Sequence, residues 1–350
     1  MTATPILDEF LVFDGVAVQR NFEAGTFWIT PNTEPVVSQW DGLHLGEPIG
    51  QGATFGPVVA ARASHLGPLA AKLFLPIRDY DRPLLFDYAT HEYRRASTDL
   101  GPRFVRGLAL LESTDVDGRP IFVLVMERVL GKRLDHYAKD AIVPPDEQRR
   151  LTGQMLEALD TLERHNLLWK DIKPSNLMVQ GEGPTSELVF IDHGSAWKQD
   201  AGTHVNNQYT GAYAAPEILL VAPAQNPPFT IASDIFSAGV TLLSAFTGGN
   251  PYKNNTERRT VNGTPALDSS TLDPMVAQVL AGMLVRDPAE RATLPQLRAA
   301  LDGRPPTGWA PDPYKAYGDV PPSQSSTEPL ATEFRTVANI GGPKPNTAST

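Results

Sequence analysis

Apolar and polar residues alternate along the first part of this chain and recur at helical spacing along the second. Between about residues 41 and 126, the short runs "LHLGEPIG", "PVVAARA", "PLAAKLFL", "RFVRGLALLES" and "PIFVLVMERV" are broken by Gly, Pro or, at Asp117-Gly118, a turn dipeptide, which predicts strands. One polar stretch among them, "DYATHEYRRAST", suits a helix. From about 130 to 303 the period changes. In "RRLTGQMLEALDTLERHN", Leu151, Met155, Leu159 and Leu162 recur at steps of three and four and line one helical face. "SDIFSAGVTLLSAFTGG" predicts a buried helix with Ser233 as N-cap and Gly248-Gly249 as its stop, and "LPQLRAALDG" a last helix ended by Gly303. Residues 1–40 read as a β-like extension packing on the next domain, with strand-like "LVFDGVAVQRNF" and "TFWIT" and a turn at Asp14-Gly15.

Composition adds limits. The chain has 350 residues with 41% hydrophobic side chains, enough for a sizeable core in one large or two medium domains. Formal net charge is −10, so a nucleic-acid surface is not expected. No cysteine is present, which excludes disulfides, thiol chemistry and Cys-ligated metals and fits a reducing, cytoplasmic setting. No apolar run reaches the ~18–20 residues of a membrane span, and "MTATPILDEF" lacks a basic region followed by an apolar one. Residues 304–350 are rich in Pro, Gly, Ser and Thr and are expected to form a mostly disordered tail, with Trp309 or Tyr314 as docking points.

Candidate chemistry gathers in four places. In Gly50-Gln-Gly52-Ala-Thr-Phe-Gly56-Pro-Val58, glycines between two strands can bring backbone amides close to phosphate oxygens, or simply make a hairpin. Lys72 ends "LAAK" on a strand, and Glu92 follows 20 residues later on the predicted helix; paired, they can hold an ammonium against phosphates. In "LLWKDIKPSNLMVQ", charges stand inside an apolar frame. Either this is a buried ion pair, or Asp171 deprotonates a hydroxyl, Lys173 neutralises a transferring phosphoryl group and Asn176 offers its amide oxygen to magnesium. Sixteen residues after Asn176, "VFIDHG" ends a strand in Asp192, suited as a second hard-oxygen ligand.

In order along residues 41–300, these motifs resemble the eukaryotic-like (Hanks-type) serine/threonine protein kinase family. "IGQGATFGPV" looks like its glycine-rich loop, "LAAK" like its strand-three lysine and "WKDIKPSN" like its catalytic loop. "DHG" resembles the Asp-Phe-Gly motif, "TGAYAAPE" the end of the activation segment and "SDIFSAG" the aspartate-containing buried helix. "RDPAER" supplies Arg291 as partner of Glu217. The resemblance implies an α+β, bilobal kinase fold spanning 41–303, with a β-rich N-lobe (41–127) carrying helix C and a helical C-lobe (128–303). It implies ATP and Mg²⁺ as cofactors: the glycine loop (Gly50, Gly52, Gly56) over the phosphates, Lys72 held by Glu92, Asp192 and Asn176 on the metal, Asp171 as base and Lys173 as charge neutraliser. Adenine is expected between Val58 and Ala70 above and Met178 below, at the hinge "VMERV" with gatekeeper Met126, Glu127 and Val129. Lys173-Pro-Ser, and Thr210 beside Asp171, point to Ser/Thr specificity, with protein substrates and no nucleic-acid or membrane partner. Thr327, Thr332 and Thr336 are candidate autophosphorylation sites for a phosphothreonine-binding partner.

The pattern departs from the family in places. The glycine loop holds one extra residue before Gly56, and Pro57 follows. Trp169-Lys170 stands for His-Arg, and lysine is only a point charge where arginine forks onto a loop phosphate; activation is therefore expected to depend less on phosphorylation of Ser195, Thr203 or Thr210. His193 replaces the phenylalanine and is read as a packing residue rather than a titrating one. The alternatives to an active kinase are a nucleotide-binding pseudokinase scaffold, which would be free to lose Lys72, Glu92, Asp171, Asn176 and Asp192, and a small-molecule phosphotransferase, which would lack the Glu217–Arg291 pair.

Overall fold

A computed structural model describes residues 10–13, 16–19, 21–22, 26–28, 43–50, 56–63, 66–75, 82–114, 120–140, 142–199, 208–220, 228–248 and 271–304. Gly52, Thr203, Trp309, Tyr314, Thr327, Thr332, Thr336 and the Asp14-Gly15 and Asp117-Gly118 turns lie outside the described residues.

The alternating runs form a seven-stranded antiparallel sheet. Its strands are β3 (Asn21–Phe22), β4 (Thr26–Trp28), β5 (Leu43–Gly50), β6 (Val58–Arg62), β7 (Leu69–Phe74), β8 (Gly107–Thr114) and β9 (Pro120–Glu127), in the spatial order β3-β5-β6-β7-β9-β8-β4. Before them, β1 (Phe10–Phe13) and β2 (Val16–Gln19) make a separate hairpin. The extension thus does more than pack on the next domain: Phe22 pairs with Leu43 on one edge of the sheet and Thr26 with Glu112 on the other. Four Cα steps of 3.8 Å join those two residues, so the edges come within roughly 15 Å of each other and the sheet is curled. Pairing both edges leaves neither β5 nor β8 open along its full length. Between β7 and β8, α1 (Arg82–Ala96) lies on the sheet through Leu85, Ala89 and Tyr93, which share a core with Phe74, Leu110, Phe122 and Leu124.

The second half is helical, as its period predicts. After β10 (Gly131–Arg133) come α2 (Leu134–Asp140) and α3 (Pro145–Arg164), then β11 (Leu167–Leu168), β12 (Leu177–Gln180), β13 (Glu187–Phe190) and β14 (Trp197–Lys198). The remaining described helices are α4 (Pro216–Leu219), α5 (Ile231–Thr247), α6 (Pro274–Met283) and α7 (Leu294–Leu301). Leu151, Met155, Leu159 and Leu162 of α3 are all buried in one core with Ile235, Phe236, Val240 and Leu243 of α5. Ser233 is not the N-cap of α5: Thr230 is, and Ser233 is the third helical residue, closing a capping box in which its hydroxyl accepts the Thr230 N–H at 2.9 Å. Gly248 ends the helix at φ +80, and Gly303 stands just past α7 at φ +69, both in the left-handed region that favours glycine. Two lobes, one a sheet with α1 and one helical, meet where Val105 N–H donates to Phe190 O (2.9 Å) and Phe190 N–H to Arg103 O (2.8 Å).

Candidate active site

Lys72 projects from the middle of the sheet, on β7 opposite Val58 of β6 and Leu124 of β9. It is not an exposed edge lysine. Its ammonium is buried and donates to both oxygens of Glu92 on α1, at 2.7 and 2.8 Å, and to Asp192 Oδ1 at 3.2 Å. Burial by itself pushes the ammonium pKa down; the charges of Asp192 and Glu92 outweigh that and raise it above the ordinary lysine value. Burial opposes the ionised form of Glu92 as well, so the pair stands because its partners are in contact. At Asp192, burial is overcome by the Lys72 charge and the Gly194 N–H (3.1 Å to Oδ1), and its carboxyl lies below the ordinary range. Gly194 has a steric reason: a Cβ there would stand 3.2 Å from both Asp192 Oδ1 and Glu92 Oε2.

The loop between β11 and β12 carries the second group. Asp171 Oδ2 accepts from Lys173 Nζ (2.8 Å) and Asn176 Nδ2 (3.2 Å), and Oδ1 accepts the Thr210 N–H (2.9 Å). Thr210 thus meets Asp171 through its backbone, while its hydroxyl accepts from Lys173 Nζ at 2.9 Å. A short 3₁₀ turn, Pro174–Asn176, lets Asn176 reach back and donate to the Asp171 carbonyl as well, at 2.9 Å. From below, Asp234 of α5 accepts the N–H of Trp169 (2.6 Å) and of Lys170 (2.9 Å). Those bonds hold Lys170 at φ +65, a conformation that costs a non-glycine residue about 1 kcal/mol or more. Burial raises the Asp234 carboxyl to about 6, against the pull of those two amides.

The two groups meet at the end of β13. Ile191 N–H donates to Asn176 O (3.0 Å), which sets Asp192 beside the catalytic-type loop. Asn176 spends its amide hydrogens on Asp171, and Asp192 commits Oδ1 to Lys72 and Gly194. An amide oxygen and a carboxylate oxygen remain, with no hydrogen bond from the described residues: a sparse pair of hard donors that fits Mg²⁺, which keeps waters and substrate phosphates in its shell.

The predicted nucleotide-facing residues come together in part. Val58, Ala70, Met126 and Val129 share one apolar cluster, with Ala70 directly opposite Met126 in the sheet. Met178 is half-buried on β12 opposite Val189, itself a member of that cluster. Glu127 is exposed at the end of β9. Of the glycines, Gly50 closes β5 opposite Val58. Gly56 has a packing cause: at φ +145, a Cβ would lie 2.2 Å from Leu73 O.

The departures from the family motifs also resolve. His193 is buried with its ring 4.9 Å from Trp169, and burial pushes it down to about 4, so it is a neutral packing residue at neutral pH. Trp169 fills the space between Phe104, Phe190 and His193. Lys170 lies over the rings of Trp197 (5.6 Å) and Phe229 (5.2 Å). Arg291 forks onto Glu217 at 2.7 and 3.0 Å, the pairing that the family resemblance implies. His91, Trp197 and Phe229, which ring this site, carry no motif signal; their contacts exist only through space.

Comparison with known proteins agrees with this geometry. The family model "Protein kinase domain" matches residues 43–300. The chain belongs to the protein kinase family. Among curated relatives, serine/threonine-protein kinase 36 of Pongo abelii is 25% identical over 265 residues, covering 73% of this chain and 19% of its own length. Serine/threonine-protein kinase TIO of Arabidopsis thaliana is 25% identical over 264 residues, covering 74% of this chain and 19% of its own. The carbon catabolite-derepressing protein kinase of Secale cereale is 26% identical over 288 residues, covering 80% and 53%. The chain therefore spans about a fifth of the length of the first two relatives.

Proposed function

We propose that this protein is an active serine/threonine protein kinase, transferring the γ-phosphoryl group of ATP to hydroxyls of protein substrates in the cytoplasm. The observation that carries the reading is the state of Asp171. A carboxylate offers about four lone-pair positions; two on Oδ2 are taken by Lys173 and Asn176 and one on Oδ1 by Thr210. The position left on Oδ1 suits a substrate hydroxyl. Asp171 orients that hydroxyl and takes its proton as the oxygen–phosphorus bond forms and the bond to the leaving ADP breaks. Lys173, shared between Asp171 and Thr210, supports the charge on the moving group. Lys72 holds the α- and β-phosphates, and Asn176 and Asp192 would hold Mg²⁺, which neutralises phosphate charge when bound. Val58, Ala70, Met126, Val129 and Met178 would bound the adenine. The Glu217–Arg291 fork supports a peptide-substrate platform rather than a small-molecule site. Self-phosphorylation at Thr327, Thr332 or Thr336, serving a phosphothreonine-binding partner, belongs to the same reading.

Purified protein with labelled ATP, Mg²⁺ and a generic basic protein tests it. Phosphoserine or phosphothreonine, lost in Asp171→Ala, is expected. Nucleotide binding without transfer would make the chain a scaffold, and label confined to a small-molecule acceptor would make it a phosphotransferase. Phosphate on the tail, read by mass spectrometry after incubation with ATP, decides the self-phosphorylation part.

A further inference from the structure

Two of the residues given roles above, Glu92 and Asp171, have a sequence neighbour in one stack of rings and a cation. His91 precedes Glu92 on α1; its ring stacks on Trp197 at 5.0 Å with planes 24° apart, and its Nε2 lies 3.0 Å from Ala196 O. Lys170 precedes Asp171; its ammonium lies over the same Trp197 ring and over Phe229, which leads into α5. Trp197 itself follows Asp192 by five residues and sits on β14, whose partner is β11 at the entry of the Asp171 loop: Leu168 pairs with Trp197. Both cation distances are within the roughly 6 Å at which a ring face attracts a cation, and tryptophan has the most attractive face. Lys170 is buried, so its ammonium cannot move off the rings into water without opening the site.

We propose that Trp197 is a positioning residue that couples the helix carrying Glu92 to the loop carrying Asp171, through a His91–Trp197–Lys170–Phe229 stack. The physical need is clear from the two groups of the site. Glu92 reaches Lys72 only while α1 stays docked, and Asp171 follows a residue held at positive φ. Trp197 touches the immediate neighbour of each. If α1 moves away, His91 leaves the ring and Lys170 loses the packing that orders the face it rests on. If the Asp171 loop shifts, the disturbance returns to α1 by the same route. The coupling uses rings and a lysine in place of a phosphate, so unphosphorylated protein has both groups in position.

The inference rests on the kinase reading for its consequence, but its test does not need turnover. Hydrogen exchange on the full chain is compared for wild type, Trp197→Leu and Trp197→Phe. In Trp197→Leu, faster exchange is expected in two separate segments, 82–96 and 167–177, while α3 and α5 keep their protection; Trp197→Phe restores both. Misplacing a reacting group by about 1 Å costs on the order of 10²-fold, so Trp197→Leu is expected to lower kcat about 10- to 100-fold with KM for ATP changing less than about threefold. Lys170→Met is expected to cost a similar factor alone and little more when added to Trp197→Leu, because both break one link. Lys170→Arg, which keeps a cation over the rings, retains activity, and protein shown by mass spectrometry to carry no phosphate transfers at the wild-type rate. The proposal is overturned if exchange rises only around 195–199, if it rises everywhere, if Trp197→Phe does not restore it, or if the two losses multiply. A wild type that shows this exchange pattern but transfers no phosphate would instead overturn the kinase reading alone.

Discussion

The two halves of the active site are held by different physics. Lys72, Glu92 and Asp192 come from a strand, a helix and the end of another strand, separated by 20 and 120 residues in the chain, and their side chains meet as one buried cluster of opposite charges. Asp171, Lys173 and Asn176 lie within five residues, and neutral or cationic donors from a single loop hold one carboxylate oxygen, with the Thr210 N–H as a third donor on the other. Beneath that loop, Asp234 ties two of its amides to α5, a helix buried along most of its length. The first half therefore exists only while α1 is docked on the sheet. The second is built into the helical lobe. A site made this way makes the Lys72–Glu92 pair the more conditional part, and Asp171 depends on α1 only through the neighbours of its own loop.

Breaking the charged half has the largest expected effect. Lys72→Met removes the cation proposed to face the phosphates and leaves Glu92 and Asp192 as adjacent carboxylates without their lysine. Loss of one preorganised donor costs about 10²–10³ in kcat, and steady-state kinetics of the purified variant should show at least that, with the helical lobe intact by circular dichroism.

The second half is tested through its buried support. Asp234→Asn keeps the shape but turns a donor toward one of the two backbone amides of Trp169 and Lys170. An unsatisfied buried amide costs about 1–3 kcal/mol, and denaturant unfolding should show a loss of that size. Activity should fall with it, because Lys170 loses the bond that holds it at positive φ. A stability loss with unchanged kcat would mean that Asp171 is held by its own loop alone.

The smallest effect sharpens the contact between the halves. Burial, with Arg95 nearby, pushes His91 down to about 4 from 6.5. Between pH 6.5 and 4, the unfolded chain binds a proton at this residue that the folded chain refuses, so the His91 contribution to stability is lost as pH falls. His91→Phe keeps a ring on Trp197 without that proton. Relative to wild type, the variant should gain about 1–3 kcal/mol on acidification across this window, read from denaturant midpoints at pH 7 and pH 4.5. An unchanged difference between the two proteins would mean that His91 is open to water.

What could be read from the sequence divides along the same line. Asp171, Lys173 and Asn176 lie so close in the chain that their spacing nearly dictates their contacts. Glu92 was legible because a helix of known period follows the lysine strand, and Arg291 because its motif comes with a partner. The left-handed Gly248 and Gly303 and the α3 stripe were equally local. The N-cap of α5 was misread by three residues, since Thr230 and Ser233 both fit a cap and both take part in it. Gly56 reads as a phosphate glycine in one dimension, yet it is required by Leu73 O across the sheet. Nothing in spacing says that residues 21–22 and 26–28 pair with opposite edges of the sheet, or that Trp197 gathers His91 and Lys170, because strand pairing and ring contacts are decided by partners far away in the chain.

The most direct test of the whole account is transfer of labelled γ-phosphate from ATP to a protein substrate by wild type and by Asp171→Ala, with nucleotide binding measured on both. Equal binding, with labelled serine or threonine from wild type and at least about a hundredfold less from the variant, is the expected result. Equal transfer by both proteins would contradict it, since a carboxylate with one position left open for a hydroxyl would then have no part in moving the phosphate.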